Sequence, residues 1–585
     1  MATPDKRLAL QAGLGPALAY HEATKHHPHR YARSLGYMDL ANQPNPFRRY
    51  AGAPLFLLPF PESDDSPAFD RLYAPRGIPS RPVDALSIGE FFECALGLSA
   101  WKEYRGTRWE LRCNPSSGNL HPTEGYLISD FAGPPAVYHY APKEHGLERR
   151  CVFAESAWRA LRAGFPEGAY FVGLTSVQWR EIWKYGERAY RYCNHDVGHA
   201  VAALSCSGAA LGWRVALLDA LSDEDVAALL GLDREQDRRA AEIEHPDLLA
   251  AVAPANHAAA IPNGLWMDED GRTRTDTDVA AVVRAVAGAV WTGAANRLSA
   301  DHVPWDIIET VTTACRKPRT GMRGYAPPQA GSGGEAAPAS GPSARRIFQQ
   351  RRSAVDMDGA TGISAAAFYR ILERTMPDAA RPPWWSVAPE PRIHLGLFVH
   401  RVTGLPLGLY LLARDPGEVG ALREAMRGRS GQAGTPWLWK KPEDAPAALP
   451  LFCLDTGDYR RAATEASCHQ DIAGDGAFCV TMFARMDDRA ADSPGGPWRY
   501  PRLFWEAGMV GQVLYLEAER AGVRGTGIGC YFDDVVHACF GLRDQRYQSL
   551  YHFTIGGPVE DPRLRSLPPY KRDRRETPAG VIESS

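Results

Sequence analysis

The 585-residue sequence has few of the features that mark membrane, secreted or nucleic-acid-binding proteins. No apolar run reaches the length needed to cross a bilayer, and residues 1–7 lack the hydrophobic region of a signal peptide. A net charge of −3 provides no basic surface for nucleic acid. The eleven cysteines are scattered singly, without a Cys-x-x-Cys pair, and their number is odd. These absences favour a protein of the reducing cytoplasm over one held together by disulfides.

Two common binding motifs are also missing or incomplete. No Gly-x-Gly-x-x-Gly follows a predicted strand, so we expect no separate dinucleotide-binding domain. His26, His27 and His29 lack acidic or thiol ligands beside them, so we interpret them as a solvated patch and expect no metal. The length predicts two to four domains, and 45% hydrophobic and 23% charged residues are typical of a globular protein.

A polar turn separates two strand-like runs near residue 115. It reads Arg112-Cys-Asn-Pro-Ser-Ser-Gly-Asn119, and an apolar run follows at Tyr126. Pro115 and Gly118 favour a tight turn, from which serine and asparagine side chains offer donors and acceptors to a planar polar ligand. An ordinary surface turn is the alternative interpretation.

The chain contains an internal repeat. Gly198, Gly212 and Gly231 recur 310 residues later at Gly508, Gly522 and Gly541, with apolar matches around the last pair. Earlier, Leu86-Ser-x-x-x-Phe91 matches Ile363-Ser-x-x-x-Phe368 at an offset of 277. These matches predict a tandem duplication with insertions in loops, although three glycines could coincide by chance in a chain with 55 of them.

Composition along the chain divides it into six segments. We predict an extended N-terminal arm at 1–75, a first lobe at 76–240, a helical connector at 241–315, a flexible Gly/Ser/Ala/Pro linker at 316–346, a second lobe at 347–570 and a disordered tail at 571–585. An Ala/Leu-rich central helix is predicted from Val197 to Leu211.

Two motifs resemble a known family. The loop Arg112-x-Asn-Pro-Ser-Ser-Gly-Asn-x-His-Pro-Thr-Glu and the run from Trp179 to His199 resemble SagB-type flavin dehydrogenases of the nitroreductase superfamily. The resemblance covers residues 15–235 well and the C-terminal third more distantly. It implies an α+β fold in which two fused lobes, each an antiparallel sheet wrapped by helices, form an intramolecular pseudo-dimer through the long helices near Val197 and Val510.

The resemblance implies FMN as cofactor, bound between subunits or, here, between lobes. The family supplies an Arg-x-Ser stretch for the phosphate, a Gly-rich segment beside the flavin and a Pro-Ser loop against the ring. In this chain the first half keeps the Pro-Ser loop, and the second half keeps the Arg-x-Ser stretch and the Gly-rich segment. This distribution predicts one complete FMN site and one inactive site. The predicted cofactor-binding residues are Arg112, Asn114, Pro115, Ser116, Ser117 and Asn119 from the first half, and Arg351, Arg352, Ser353, Gly527, Ile528, Gly529, Cys530, Arg563 and Arg565 from the second.

Alternative interpretations remain for the predicted phosphate-binding segment and for the predicted acid–base pair. Arg351-Arg352-Ser353 could instead be the charged end of a linker before a capped helix. Lys184 and Tyr185 match a Lys-Tyr pair that serves acid–base work in azoline-oxidising relatives, and either residue needs a pKa lowered toward neutrality to act as a base. The alternative is structural: Lys184, Glu187, Arg188 and Asp196 lie on a charged, aromatic helix and pair with one another.

The resemblance implies an FMN-dependent oxidoreductase that transfers hydride to or from a small or peptide-derived substrate, with azoline-to-azole dehydrogenation as one form. The alternatives are an NAD(P)H-dependent nitro or quinone reductase and a non-catalytic flavin-binding protein. Expected partners are a small-molecule or modified-peptide substrate and NAD(P)H, without nucleic acid or membrane. A monomeric pseudo-dimer is the simplest assembly, and a homodimer is the alternative.

Overall fold

The computed structural model describes most of the chain in two lobes. The described residues are 15–74, 78–238, 241–255, 274–321, 341–387, 391–428, 436–486, 496–571 and the strand Val581–Ile582. Among these residues, no helix combines the length and apolar character required to traverse a bilayer.

The described helices fall on both sides of residue 341. Those before it are α1 (Pro16–Ala23), α2 (Ala85–Ala95), α3 (Glu155–Arg162), α4 (Trp179–Tyr185), α5 (Ala189–Ala210), α6 (Asp223–Leu230), α7 (Glu235–Arg238), α8 (Asp276–Ala287) and α9 (Asp306–Ala314). Those after it are α10 (Ala344–Gln350), α11 (Ala365–Thr375), α12 (Val419–Ala425), α13 (Arg460–Ala466), α14 (Ile472–Asp475), α15 (Arg499–Arg520) and α16 (Asp533–Cys539).

The strands divide in the same way. The first group is β1 (Tyr50–Ala51), β2 (Leu55–Leu57), β3 (Leu98–Tyr104), β4 (Thr107–Arg112), β5 (Thr123–Ser129), β6 (Ala136–Ala141), β7 (Gly146–Val152), β8 (Tyr170–Ser176), β9 (Trp213–Leu217), β10 (His245–Pro254), β11 (Val290–Trp291) and β12 (Ala294–Ala295). The second is β13 (Ile363–Ser364), β14 (Ile393–Val399), β15 (Val402–Thr403), β16 (Gly408–Leu412), β17 (Leu451–Thr456), β18 (Phe478–Arg485), β19 (Arg524–Ile528), β20 (Tyr547–Gly556), β21 (Arg565–Leu567) and β22 (Val581–Ile582).

Each lobe is built on one antiparallel sheet, and the two sheets repeat one topology. The lobe 1 sheet runs β22-β2-β7-β6-β5-β8-β10-β9, with β11 also on β7, and the lobe 2 sheet runs β17-β16-β14-β18-β20-β19. The stretch β7-β6-β5-β8-β10-β9 therefore has the strand order of lobe 2. Strands β5 and β8 are buried along their whole length, because helices cover both faces of the sheet. The predicted duplication is confirmed.

The long helices α5 and α15 cross at a pair of glycines related by the 310-residue repeat. A Cβ on Gly198 would lie 2.1 Å from the carbonyl oxygen of Trp505, and one on Gly508 would lie 2.1 Å from that of His195. His195 and Trp505 are themselves 310 residues apart, so the two contacts are internally symmetric. Because glycine has no side chain, the helix backbones pack directly against each other. Val197 and Val510 belong to one continuous apolar core that spans both lobes.

Segments from each half of the chain cross over and contact the opposite lobe. Strand β21, from the C-terminal end of the chain, pairs with β3 of lobe 1. From the N-terminal arm, His26 forms a bridge with Phe532, and Lys25 Nζ lies 3.2 Å from Asp534 Oδ1 in lobe 2. These reciprocal crossings and the shared core hold the lobes together as the predicted pseudo-dimer.

The structure corrects three predicted segment types. The connector predicted as helical at 241–315 contains β10, a strand inside the lobe 1 sheet, because the apolar run Leu248–Ala253 is buried between β8 and β9. The arm predicted as extended carries α1 and contributes β2 to the main sheet. The tail predicted as disordered places Val581 opposite Phe56 in that sheet. Most of the predicted linker and of the tail lies outside the described residues.

Candidate functional site

The Pro-Ser loop lies between β4 and β5 and is shaped by a left-handed glycine. Gly118 has φ +60°, and a Cβ there would lie 2.5 Å from Tyr185 Oη and 3.0 Å from Lys184 Nζ. Only glycine leaves room for both side chains at this conformation. The structure therefore brings the predicted loop and the predicted Lys184–Tyr185 pair together.

Hydrogen bonds from neighbouring elements fix the loop. The Ser117 amide donates to both Asp196 oxygens at 3.1 and 3.2 Å, and the Ser117 hydroxyl donates to Oδ1 at 3.2 Å. The Ser116 hydroxyl accepts from the His121 amide at 2.8 Å, and Asn119 Nδ2 donates to the Glu110 carbonyl at 2.8 Å. The loop is thus rigidly anchored to α5, whereas the surface-turn alternative requires no such contact.

Lobe 2 reaches the base of this loop through Arg351. Its Nε donates to the Cys113 carbonyl at 3.0 Å and its Nη2 to the Arg112 carbonyl at 2.8 Å. Arg351 is buried, and burial lowers the pKa of its guanidinium. Next to it, Arg352 donates to the Ser99 hydroxyl at 3.1 Å and to the Ser99 carbonyl at 3.0 Å. Burial lowers the Arg352 pKa to about 10, and the positive charge of Arg351 adds to the effect.

Tyr515 of α15 joins two other predicted elements. Its hydroxyl lies 2.8 Å from the Ser353 hydroxyl and accepts a hydrogen bond from the Gly527 amide at 2.9 Å. Ser353 also forms a parallel bridge with Gly525. The Arg-Arg-Ser segment and the Gly-rich strand β19 are therefore adjacent, and Arg351 lies over the Tyr515 ring at 5.0 Å.

Two glycines of the Gly-rich segment sit directly under aromatic rings. A Cβ on Gly527 would lie 1.9 Å from Tyr551 Oη, and one on Gly529 would lie 2.4 Å from the Tyr192 ring. The Gly529 carbonyl accepts from the Tyr192 hydroxyl at 3.0 Å. The Ile528 side chain instead packs into the lobe 2 core, so it offers the site only its backbone.

Two predicted phosphate ligands lie on the outer surface. Arg563 is about 71% exposed, with its guanidinium on Asp561, and Arg565 is about 72% exposed, with its guanidinium on Glu103. The contacts of the described chain do not bring these two arginines together with Arg351 and Arg352. We attribute this to β21, which runs along the outer edge of β3.

Two loop-side residues are buried with unused polar atoms. Arg112 donates through Nη2 to the Pro46 carbonyl at 2.6 Å, while its Nε has no hydrogen-bond partner in the described part of the chain. Asn114 Oδ1 is buried and likewise lacks a partner among the described residues. Pro115 is buried beside them. Unpaired buried polar atoms are costly, so such atoms indicate a place for a polar ligand.

A pair of buried acids, not recognised as a pair from the sequence, lies beneath the loop. Glu181 of α4 and Asp196 of α5 are in hydrogen-bonding contact, and the Ser116 hydroxyl also bonds to Glu181. Two carboxylates cannot donate to each other, so a shared proton satisfies the pair. Burial and the facing acid raise the Glu181 pKa, and burial raises that of Asp196 to about 7. The pair holds a proton near neutral pH.

The Lys184–Tyr185 pair is only partly suited to its predicted role. Burial raises the Tyr185 pKa well above its ordinary value, with Glu181 adding to the effect, so Tyr185 stays a neutral hydrogen-bond donor. This is opposite to the lowered pKa that a basic tyrosine requires. Lys184 Nζ lies 5.3 Å from the Tyr185 ring and electrostatically favours the ionised form of Glu181.

Sequence reasoning also missed the aromatic residues between the loop and the Gly-rich strand. His195 stacks on Tyr551 with ring centroids 4.2 Å apart, and both His195 nitrogens lack a hydrogen-bond partner among the described residues. His199 Nε2 lies 3.1 Å from Tyr551 Oη. His195 and His199 belong to the Trp179–His199 motif, whose helical spacing was the available signal, whereas Tyr551 and Tyr515 lie in no recognised motif.

Comparisons with known proteins agree with this architecture. No protein-family model matches the sequence. A Methanocaldococcus jannaschii protein named as a nitroreductase is 29% identical over 122 residues, which are 20% of this chain and 62% of that protein. A solved structure described as a nitroreductase from Anabaena variabilis has a TM-score of 0.64 at 20% identity, and the alignment covers 93% of this chain and 100% of that one.

A second solved structure covers less of the chain. It belongs to the E. coli microcin synthetase complex with a truncated pro-microcin bound, has a TM-score of 0.25 at 15% identity, and covers 36% of this chain and 70% of its own. The Anabaena match, in contrast, extends along both lobes. The chain therefore has the nitroreductase-like α+β fold, duplicated in tandem so that two fused lobes form an intramolecular pseudo-dimer.

Proposed function

We propose that this protein is an FMN-dependent oxidoreductase of the nitroreductase type with one composite cofactor site between its lobes. The observation that carries the proposal is the meeting of Arg351 from lobe 2 with the Arg112 and Cys113 carbonyls at the base of the Pro-Ser loop. Through Tyr515, the same segment is joined to the Gly527 amide. All three sequence elements that the resemblance assigns to FMN thus converge.

The residues present fit the two ends of FMN. Two adjacent guanidiniums and the Ser353 hydroxyl form the donor set that a phosphate dianion requires. The glycines at 527 and 529 have no side chains, which leaves room beside this strand for the Tyr551 hydroxyl and the Tyr192 ring. The unpaired Asn114 Oδ1 and the His195 nitrogens supply buried polar atoms for the ring edge.

FMN, when bound, supplies two-electron hydride transfer, and the protein supplies position and protons. The Pro-Ser loop, held by Asp196, would orient the ring and exclude water from one edge. The Glu181–Asp196 pair would hold a proton near neutral pH, and Lys184 lies next to that pair. Tyr185 would donate a hydrogen bond rather than act as a base, because its pKa is raised.

For the substrate we propose a small or peptide-derived molecule, with azoline-to-azole dehydrogenation as the specific reaction. The Lys184–Tyr185 pair beside Gly118 supports it, since the resemblance links this pair to azoline oxidation. Removal of hydride from carbon also requires release of a proton, for which the carboxyl pair beneath the loop is placed. Reduction of nitro compounds or quinones with NAD(P)H is the competing reaction.

The experiment is a flavin bleaching assay on the FMN-loaded protein. A thiazoline-containing peptide added without oxygen should bleach the flavin absorbance, air should restore it, and the product should be the azole. Bleaching by NAD(P)H alone, followed by reoxidation with a quinone, would favour the competing reaction. Failure of the chain to bind FMN at all would overturn the proposal.

A matched pair of variants tests the phosphate end. Arg352→Ala should weaken FMN binding about tenfold or more, because it removes a charge-assisted donor worth roughly 1.5–3 kcal/mol. Arg461→Ala is the control, since Arg461 is about 91% exposed and bonds to Glu465, one helical turn away. Equal FMN affinity in the two variants would remove Arg352 from the site.

A further inference from the structure

Two cysteines from separate segments of lobe 2 lie in direct contact. Cys530 follows the Gly-rich strand β19, and Cys468 lies in the turn after α13, yet their sulfur atoms are only 2.7 Å apart. Gln470 ties the two segments together, since its Nε2 donates to the Cys530 carbonyl at 2.9 Å and to the Ser467 carbonyl at 2.8 Å. The contact is therefore built into the fold.

The accessibility of this pair separates it from most other thiols. All eleven cysteines fall within the described residues, and eight of them are buried. Cys468, Cys530 and Cys539 are half-buried. A thiol must be reached by a reagent to react, so the pair belongs to the small accessible group.

The backbone at Cys468 is held in an unusual conformation. Cys468 and His469 have φ values of +55° and +59°, in the left-handed region that non-glycine residues rarely adopt. Such strain persists where the surrounding structure imposes it, and it is concentrated at functional sites. Here it turns the Cys468 side chain toward Cys530.

One of the two thiols is electrostatically prepared to react. The hydrogen bond between the two sulfur atoms lowers the Cys530 pKa, and the Arg188 guanidinium acts in the same direction. Cys468 itself has a raised pKa because it is the hydrogen-bonding partner of Cys530 and is partly buried. A thiol with a lowered pKa beside one with a raised pKa is the arrangement in which one sulfur attacks and the other resolves.

We propose that Cys468 and Cys530 form a redox-active dithiol that closes to an intramolecular disulfide by exchange with low-molecular-weight disulfides such as oxidised glutathione. Cys530 attacks one sulfur of the small disulfide, whose S–S bond breaks and whose first half leaves as a thiol with the Cys530 proton. Cys468 then attacks the Cys530 sulfur, and the second half leaves with the Cys468 proton. Two protein thiols are oxidised and one small disulfide is reduced to two thiols. This reaction is separate from the proposed flavin chemistry.

The disulfide would act on the end of the Gly-rich segment. The Gly529 carbonyl, one residue before Cys530, accepts hydrogen bonds from Tyr192 and from Arg188 Nη2 at 3.1 Å. A covalent link to Cys468 would fix this segment against the turn that holds Ser467 and Gln470. The redox state of the pair would thus set the stiffness of the segment.

The test is mass spectrometry of the full chain after incubation with oxidised glutathione, denaturation and alkylation. Wild type should show two fewer alkylated thiols than the eleven of the reduced chain, no bound glutathione, and a peptide joining Cys468 to Cys530. Dithiothreitol should restore all thiols. Cys468→Ser should instead retain one glutathione on Cys530, because the resolving thiol is gone.

Cys539→Ser is the matched control, because Cys539 is similarly exposed, and it should still lose two thiols. Wild type that keeps all its thiols, or that holds as much glutathione as Cys468→Ser, would overturn the proposal. A disulfide that joins other cysteines would overturn it as well. None of these readouts depends on FMN, so this proposal and the flavin proposal fail independently.

Discussion

The two interlobe regions occupy equivalent places in the duplicated fold but differ in their contacts. In one, Tyr515 bonds to Ser353 and to the Gly527 amide. In the other, the residue 310 positions earlier is Ser205, whose hydroxyl accepts from Trp385 Nε1 at 2.9 Å and from Ser386 at 2.7 Å. Trp385 also lies under Arg214 at 5.6 Å. The second region therefore has Trp385 and Ser386 against Ser205, where the first has the Arg-Arg-Ser segment and the Gly-rich strand against Tyr515.

The acids at equivalent positions show the same divergence. Asp196 anchors the Ser117 amide and faces another acid, Glu181. Its counterpart Glu506 accepts from the Arg392 amide at 2.9 Å and forms a buried ion pair with Arg414. Both carboxylates hold the backbone before a central strand, which is their shared structural role. Of these two described acids, Asp196 faces a second acid and Glu506 faces an arginine, so the duplicated fold holds a carboxylate at both positions in different electrostatic settings.

The largest effect on stability is expected at the crossing of α5 and α15. Gly508→Ala would place a Cβ 2.1 Å from the His195 carbonyl oxygen and force the central helices apart. We expect a loss of about 3 kcal/mol in the free energy of unfolding, measured by urea denaturation, with loss of any bound flavin. Gly420→Ala is the control, since a Cβ there meets no atom within 4 Å. Equal stability of the two variants would contradict the helix crossing.

A smaller effect, on FMN affinity, should distinguish the two interlobe regions. Tyr515→Phe removes one hydroxyl and leaves the Gly527 amide without its partner, at a cost of about 1–3 kcal/mol. We expect FMN affinity, measured by fluorescence titration, to fall by about tenfold. Ser205→Ala, the matched change in the other region, should leave FMN affinity unchanged. Comparable losses in both variants would mean that the two regions are functionally alike.

The carboxyl pair predicts a pH dependence of stability. Its pKa values are raised, so the folded state keeps a proton that an unfolded acid loses near pH 4. The stabilisation is present at low pH and is lost as the pH rises toward about 7, by up to about 1.4 kcal/mol per pH unit. Glu181→Gln should flatten this slope in unfolding experiments between pH 4 and 7. Glu465→Gln is a surface control, and an unchanged slope in Glu181→Gln would argue against a shared proton.

The smallest effect is expected from the outer arginines. Arg565→Ala removes an exposed side chain paired with Glu103, and exposed pairs contribute about 1 kcal/mol or less. We expect less than about a twofold change in FMN affinity, in contrast to Arg352→Ala. A tenfold loss of FMN affinity in Arg565→Ala would show that Arg565 contributes to phosphate binding. The same measurement on Arg563→Ala would test Arg563.

Much of the fold could be predicted because its signals are local or repeated. The 310-residue glycine repeat predicted the duplication, and the Ala/Leu-rich run from Val197 predicted a central helix that became α5. Strand β10 was missed because a continuous apolar run such as Leu248–Ala253 is compatible with either a buried strand or a helix. Its true neighbours, β8 and β9, are set by tertiary pairing.

Some site residues could be predicted from the sequence, and others could not. The loop and Lys184–Tyr185 were found by motif, and the structure sets them side by side. Tyr515 was missed because its partner Ser353 is 162 residues away, so no local pattern relates them. Arg563 and Arg565 were proposed by charge alone, and charge does not say which edge of a sheet a strand will follow.

The most direct test of the central claim is the number of FMN molecules bound per chain. The purified protein is saturated with FMN, freed of excess cofactor and denatured, and the released flavin is quantified against protein. One FMN per chain is predicted, because only one interlobe region combines the Arg-Arg-Ser segment, the Gly-rich strand and the Pro-Ser loop. Two per chain would contradict the single composite site, and none would contradict the cofactor.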